Sequence, residues 1–435
     1  MAKANTSPAR GMRDLLPDEV ALREWATTEI LGAYARYGFR RVETPALENI
    51  ARLTGGQGGD NEKLIFKILK RGDKLNLSAA KSDADVVDFG LRYDLTVPLA
   101  RFFAEHRGAL GTPFKAIQVG PVWRAERPQK GRYRQFTQCD IDVLGDGSTA
   151  VEIELIEATL QALAALGFEG LVVRMNDRRL LGAMVAECGF DDARAGAVLI
   201  AVDKLDKLGV DGVCKELAEA EHPEPAVAKL RAFLERADSS GDPSGDGALD
   251  ALAELLAEVE PAVNGIAGLR RLTAELNKSL PGGARVQPDP TLVRGMGYYT
   301  STIFEIALEG VPYSLGGGGR YDKMIGDMIG GEVPACGFSI GFERIVLELQ
   351  QRGMGPREVT KLAALLHDPK RDDPLAVTAA ARAWRDSGVH VTVLPKRKKL
   401  GTQLDELAAS GVDQFWVFVP DSAAQPKPLG EGAAS

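Results

Sequence analysis

Residues 122–142 read VWRAERPQKGRYRQFTQCDID, and their pattern decides the fold. Two runs of strand character, Phe114 to Val119 and Tyr133 to Val143, flank a basic loop, and the unit as a whole carries Arg124, Arg127, Lys130, Arg132 and Arg134. A strand that returns after one loop implies antiparallel pairing. Guanidinium groups fixed on such a hairpin form an anion cradle: they grip phosphate oxygens bidentately and stabilise charge that builds on a phosphorus under attack. Taken alone, the same residues also read as a solvated basic hairpin paired with acidic surface elsewhere.

On the N-terminal side, apolar residues recur at helical spacing from Asp18 to Tyr37, Gly38 stops the helix, and Phe39 to Thr44 reads as a strand ended by Pro45. Leu64 to Leu77 alternates around Arg71-Gly72-Asp73, a hairpin signal. On the C-terminal side, Ala150 to Leu166 predicts a helix and Leu171 to Met175 a strand, after which the chain turns helical and rich in Ala, Leu and Glu. Ala237 to Asp250, rich in Gly, Ser and Asp, reads as a mobile loop within that helical stretch. Strand character returns from Arg294 to Leu308 and from Ala335 to Ile340, followed by a helix from Gly341 to about Arg352. Beyond Gly355-Pro356, strands (Leu362 to Leu366, Val389 to Leu394, Gln414 to Val419) alternate with helices (Pro374 to Ser387, Thr402 to Ser410), the pattern of a parallel α/β domain. Asp421 to Ser435 has no periodicity and reads as a flexible tail. The expected fold class is α+β, an antiparallel sheet flanked by helices. Residues 1–175 and 287–353 would form its two parts, 176–286 a helical insertion, and 354–435 the C-terminal α/β domain with its tail.

A chain of 435 residues with 45% hydrophobic composition can bury more than one core. Its net charge of −8 argues against a uniformly basic surface, so any nucleic-acid contact must come from local patches. Four scattered cysteines with no C-x-x-C pair exclude a zinc ribbon and a disulfide framework, and four histidines at no ligand spacing exclude a histidine-built metal site or triad; no protein-held metal is expected. The chemistry falls to arginines, carboxylates and tyrosines. Met1 to Arg10 lacks a signal-peptide core and no stretch approaches a membrane span, so a cytoplasmic protein is expected.

Three further segments carry candidate chemistry. Leu292 to Glu305, LVRGMGYYTSTIFE, sets Arg294 beside Tyr298 and Tyr299, which suits a second phosphate or carboxylate contact. Ser314 to Asp322, SLGGGGRYD, supplies four glycines where a backbone must approach another segment or a ligand, without the ending of a Walker loop. Ala335 to Ile345, ACGFSIGFERI, runs a strand into a helix whose Arg344 can stack its guanidinium on a purine.

Together these segments resemble the motifs of class II aminoacyl-tRNA synthetases: Gly38 to Pro45 motif 1, Val122 to Asp142 motif 2, Gly337 to Ile345 motif 3. Within that class, RPQKGRYRQF, RGMGYYTSTIFE, GGGGRYD and LRYDLTVPLARF (Leu91 to Phe102) are similar to the histidyl-tRNA synthetase family, over about Arg10 to Gly411. The resemblance implies ATP-dependent activation of L-histidine and its transfer to tRNA(His), with Mg2+ arriving on the ATP, by a homodimer that needs no membrane. It places Arg124 on the α-phosphate, Glu126 near the adenine, Arg132 near the outer phosphates, Phe136 against one face of the base and Arg344 on the other. Arg294 would reach the α-phosphate and the histidine carboxylate from the opposite side. Asp94, Thr96 and Gln138 would take the ammonium, Asp142 and Tyr299 the two imidazole nitrogens, with Tyr298 and Tyr321 in the same pocket. Arg127, Gln129 and Lys130 would meet the acceptor end of tRNA. Lys396, Arg397, Lys398 and Lys399, on a C-terminal domain similar to the family's anticodon-binding domain, would meet phosphates near the anticodon. Trp384 and Trp416 could meet RNA bases, although core packing suits both better.

Gly297 stands where many relatives carry an acid, Asp94 and Asp142 where some carry the longer Glu, and the C-terminal domain lacks the usual last strand and helix. The alternatives to a histidine-activating enzyme are the non-catalytic regulatory subunit of ATP phosphoribosyltransferase, which shares the fold without needing Arg124, Arg294 and Arg344 together, and another class II synthetase, which would lack the acid and phenol pair.

Overall fold

The computed structural model describes residues 6–55, 59–128, 132–238, 244–278, 280–281, 283–294, 297–356, 362–420, 422 and 425–429, with the side chains of 59–61 and 238 left out. Gln129 and Lys130 lie outside the described residues. The chain divides into two compact units, Met1–Gly355 and Pro356–Ser435.

The first unit is built on an eight-stranded sheet. Its centre is antiparallel: Phe114–Trp123, Gln135–Leu144, Ala335–Ile340, Gly316–Arg320, Thr302–Leu308 and Leu171–Asp177 lie side by side in that order. The strand pair read from residues 122–142 is present, with Pro121 opposite Thr137 and Trp123 opposite Gln135. Two edge strands are parallel to their neighbours, which the antiparallel expectation missed. Arg40–Arg41 pairs with Ala116 and Ile117, and Arg285–Pro288 pairs with Val172 to Met175. Each returns to the sheet after a helical excursion rather than a tight turn, the connection that parallel neighbours require. Helices Pro17–Arg36 and Ala150–Ala165 pack together; Ala26, Ile30, Ala33 and Tyr34 of the first share one core with Leu155 and Ile156 of the second, and the Tyr34 hydroxyl donates to Thr159 Oγ1 at 3.1 Å.

Four local expectations are corrected. Leu64 to Leu77 is not a hairpin: Lys67–Leu69 pairs with Val87–Leu91, and Gly72–Lys74 forms a turn of 3-10 helix. The Lys67 ammonium is tied to Asp83 next to that distant partner, so the alternation belongs to a pairing that is not local. The ladder in Arg294 to Leu308 begins only at Thr302. Of the loop expected at Ala237 to Asp250, residues 239–243 lie outside the described residues, and the C-terminal part is helical from Asp246, whose N–H donates to Ser244 Oγ. Gly245, at φ 78°, leaves no room for a Cβ against the Pro288 carbonyl. Finally, Lys427–Pro428 of the supposed tail forms a short strand on Gln414 and Phe415.

Helices between Arg178 and Leu276 share one continuous hydrophobic core with the sheet, through Leu180, Met184, Leu249, Ile266 and Leu276. In the second unit, Leu362–His367 is the centre of a parallel sheet flanked by His390–Pro395 and Gln414–Val417. Ala363 and Leu365 face one apolar cluster with Trp416, Ala364 and Leu366 face another with Leu404, so both faces are covered. Trp384 and Trp416 pack together at 5.8 Å within that core.

One buried ion pair ties the sheet to the Ala150–Ala165 helix. Arg320, at the end of the glycine strand, donates from Nε and Nη2 to Glu152 at 2.7 and 2.6 Å, with both residues buried. Removing Glu152 leaves the buried Arg320 charge only a long contact to Asp322 at 3.4 Å and two backbone carbonyls, so Glu152→Ala should lower unfolding free energy by about 3 kcal/mol in urea titrations. A loss below about 1 kcal/mol would mean that water already solvates this pair.

Candidate active site

The open face of the sheet floors a cleft of about 940 Å³. Its floor includes the glycine run of one strand. A Cβ on Gly317 would sit 2.6 Å from the Arg294 guanidinium carbon, and one on Gly319 would sit 2.9 Å from the Tyr299 ring. The glycine run therefore lets an arginine and a phenol lie flat on the sheet; it does not wrap a phosphate. Gly337 plays the same part for Asp142, whose carboxylate occupies the place of a Cβ.

Arg124, Arg132, Arg294 and Arg344 all border this cleft, with Thr96, Glu126, Phe136, Gln138, Asp142, Tyr298, Tyr299 and Tyr321. Arg124 donates from Nε to the Tyr93 carbonyl at 3.0 Å, and its guanidinium stacks 5.1 Å over the Phe136 ring. Arg344 is anchored from Nη1 to the Ser314 carbonyl at 2.6 Å and lies 5.5 Å over Tyr313. Arg132 sits 3.6 Å from Glu126. Arg294 donates from Nη1 to Glu305 at 2.7 Å while its Nε, buried, has no partner. Glu305, eleven residues further on along the neighbouring strand segment, thus supplies the orienting carboxylate that Gly297 does not. Burial lowers the Arg294 pKa, but Tyr299 and Glu305 outweigh it and the net shift is upward, so the cation is firmly held.

Beside the arginines lies a pocket of acids and phenols. The Tyr321 hydroxyl donates to Asp142 Oδ1 at 2.5 Å, and Asp142 Oδ2 is unpartnered. Tyr298 stacks edge-on against Tyr299 and Tyr321 at 4.9 and 5.8 Å. Asp94 does not line the cleft surface itself; it sits buried at the start of the Thr96–His106 helix, with Oδ1 accepting from Val97 N at 3.1 Å and Oδ2 unpartnered. Burial pushes the Asp94 carboxyl up to about 6, against the pull of the Val97 amide and Arg124. Burial likewise pushes Asp142 up to about 7, with the Tyr321 bond opposing and the Asp94 charge adding. Oxygens that are buried, charged and unpaired are what a cationic ligand with several N–H donors would satisfy.

Arg127 is exposed and borders no part of this cleft; Lys396, Arg397, Lys398 and Lys399 belong to the second unit, where all four are exposed. Arg397 pairs with Glu406 at 2.5 Å across the opening turn of the Leu400–Ala409 helix. Among the described residues no cluster of His, Cys, Asp or Glu could hold a metal ion, and no helix is long and apolar enough to cross a membrane.

Several site residues were not singled out from the sequence. Asp140 follows the same alternation as Gln138 and Asp142 and borders the cleft, a signal that the period of two already contained. Glu343 had no such signal. It accepts from Arg23 at 2.8 Å, Arg13 at 2.9 Å and the Thr137 N–H at 3.0 Å, which clamps the segment bearing Phe136 to the helix bearing Arg344. Burial raises its carboxyl, but Arg23 and its other donors hold it below the ordinary range. Arg178, Leu199 and Ile200, from helices Arg178–Glu187 and Asp192–Val202, and Asp203, which caps the second, form a further wall.

An antiparallel sheet that presents arginines from its hairpin and from the helix after its last central strand, facing one cleft, is the architecture of a class II aminoacyl-tRNA synthetase. The comparisons narrow this to one family. A family model for histidyl-tRNA synthetase matches residues 11–345. Over 98% of this chain and 99% of the relative, the sequence is 46% identical to a histidine–tRNA ligase of Leifsonia xyli subsp. xyli. The crystal structure of histidyl-tRNA synthetase from Nostoc sp. PCC 7120 superposes with a TM-score of 0.73 at 26% identity, covering 95% of this chain and 91% of that one. A Bacillus halodurans protein described as an ATP phosphoribosyltransferase regulatory subunit/histidyl-tRNA synthetase also reaches 0.73, at 20% identity over 96% and 99% of the two chains, a likeness of fold alone. The chain belongs to the histidyl-tRNA synthetase family.

The raised Asp142 carboxyl has a consequence for the empty protein. Because its proton is held more tightly in the folded than in the unfolded chain, folded stability falls as pH rises from the ordinary carboxylate range, about 4, through about 7. Asp142→Asn removes that penalty. Its urea midpoint should exceed the parent's at pH 8, by roughly 1–3 kcal/mol in stability, and the difference should shrink towards pH 4. A difference independent of pH would show that Asp142 is not a strained, buried acid.

Proposed function

We propose that the chain binds ATP and L-histidine in this cleft, forms histidyl-adenylate, and esterifies the histidyl group to the 3′ end of tRNA(His). The observation that carries the reading is the meeting of Arg124, Arg294 and Arg344 with the Asp142–Tyr321 pair around one cavity. The histidine carboxylate oxygen attacks the α-phosphorus and pyrophosphate leaves. Arg124 and Arg294 approach that phosphorus from two sides and neutralise charge as it builds. Arg344 and Phe136 hold the two faces of the adenine, Glu126 its edge and Arg132 the outer phosphates; Phe136 exchanges its stack on Arg124 for the base. Mg2+ arrives on the nucleotide.

Asp142 and Tyr299 take the two imidazole nitrogens, with Tyr321 steering Asp142, while Asp94, Thr96 and Gln138 take the ammonium. A ring lacking an N–H donor leaves the Asp142 charge unpaired, the strongest ground for rejecting an isostere. The ribose hydroxyl at the tRNA end then attacks the acyl carbon and AMP leaves. The motif 2 loop with Arg127, Gln129 and Lys130 serves the acceptor end, the Lys396 to Lys399 patch serves phosphates near the anticodon, and two copies of the chain form a homodimer in the cytoplasm.

Histidine-dependent ATP–pyrophosphate exchange tests the first step. The parent should support exchange with histidine alone among the amino acids, and Arg294→Ala should lower it by at least about a hundredfold; full exchange by the variant would remove Arg294 from its assigned role. Replacing Lys396, Arg397, Lys398 and Lys399 together by Ala should raise the KM for tRNA by about tenfold or more and leave exchange intact, because phosphate contacts act on tRNA affinity and not on adenylate formation. Unchanged aminoacylation would assign the second unit another task.

A further inference from the structure

Gln138, Asp140 and Asp142 alternate with Cys139, Ile141 and Val143 along one strand, so the three polar residues face the cleft side and the apolar ones the core. A glutamine amide is nearly symmetric in shape, and either end fits the same space. Which end faces a ligand is therefore set by its neighbours' hydrogen-bonding capacity rather than by packing.

Here the neighbour is Ser339, directly opposite Asp140 on the adjacent strand. Gln138 Nε2 donates to Ser339 Oγ at 3.1 Å, and the Ser339 side chain stands beside the Asp140 carboxyl, where its hydroxyl favours the ionised form. A hydroxyl owns one proton. Given to a carboxylate, it leaves Oγ able only to accept, and Gln138 must offer its NH2. The amide oxygen is then turned away: Gln138 Oε1 is buried with no partner, as are Asp140 Oδ1 and Asp94 Oδ2.

We propose that Asp140, acting through Ser339, is the positioning residue that fixes the Gln138 amide with its oxygen towards the α-ammonium of the amino-acid substrate. This rests on the histidine-activating role given above, and adds a residue that determines how the cleft tells an amino acid from its deaminated analogue. Asp140 is only 3% exposed. Burial, with the nearby Asp142 and Asp94, holds its carboxyl well above the ordinary range in the empty cleft, and Ser339 and Arg124 oppose that shift by favouring the ionised form. The arriving ammonium adds to the latter pair, so the relay is most firmly polarised when substrate is present.

The test is Asp140→Asn. Asparagine can donate to Ser339 Oγ, which frees the hydroxyl proton for Gln138 Oε1; the amide then reverses and points NH2 groups at a cation. In pyrophosphate exchange, the KM for histidine should rise about ten- to a hundredfold with kcat and the KM for ATP within about threefold. The inhibition constant of histidinol, which keeps the ammonium, should rise in parallel, while that of imidazole-4-propionate, which lacks it, should stay at the parent value. In a Ser339→Ala background, where nothing fixes the amide, Asp140→Asn should add less than about threefold. Equal losses for both inhibitors, or an Asp140→Asn effect of the same size with and without Ser339, would overturn the relay. A parent protein with no histidine-dependent exchange would instead remove the histidine-activating role, and the relay's purpose with it.

Discussion

Buried charged side chains that each leave one polar atom without a protein partner are the constraint around which this chain is arranged. Arg294 Nε, Asp94 Oδ2, Asp140 Oδ1 and Asp142 Oδ2 are all withdrawn from water and unbonded. Each costs folding free energy that the sheet and its core must offset, on the order of 1–3 kcal/mol for a polar atom and more for a charged one. Such a cluster persists only if another component completes it. The arginines on one side call for an anion and the acids on the other call for a cation, which is the charge distribution of a nucleotide beside an amino acid's ammonium.

Rigid support keeps those groups apart instead of letting them collapse on one another. Arg294 is held by Glu305, Arg344 by Ser314 and Asp142 by Tyr321. Each tether uses part of a group's bonding capacity and leaves the rest aimed at the cleft. The four glycines Gly316 to Gly319 permit this, since any Cβ at Gly317 would push Arg294 off the floor. Glu343 adds a clamp of another kind. By binding Arg23, Arg13 and the Thr137 amide at once, it sets the relation between Phe136 and Arg344, the two residues assigned to the faces of the base.

Much of this was legible in the sequence where the code is local. The alternation across residues 133–143 gave a strand with one polar face, and the strand and helix alternation after Pro356 gave a parallel sheet, because both rest on a periodicity of a few residues. The α+β class followed from the same reading. Pairings between distant segments were not legible: Lys67–Leu69 finds its partner at Val87–Leu91, and Lys427–Pro428 joins a sheet although Lys and Pro are poor strand formers. The glycine run was seen to need close approach, yet what approaches, the Arg294 guanidinium and the Tyr299 ring, depends on how strands far apart in sequence are ordered in the sheet. Asp140 shows the opposite case, a residue that the period of two exposed but that acquires meaning only from Ser339, nearly two hundred residues away.

The most direct measurement is a crystal structure of the full chain with ATP and histidinol, which lacks the attacking carboxylate and so leaves the nucleotide intact. Convergence of the guanidinium groups predicts the α-phosphate between Arg124 and Arg294, the adenine between Phe136 and Arg344, and the imidazole against Asp142. Nucleotide phosphates that touch neither Arg124 nor Arg294, or an imidazole bound away from Asp142, would contradict it.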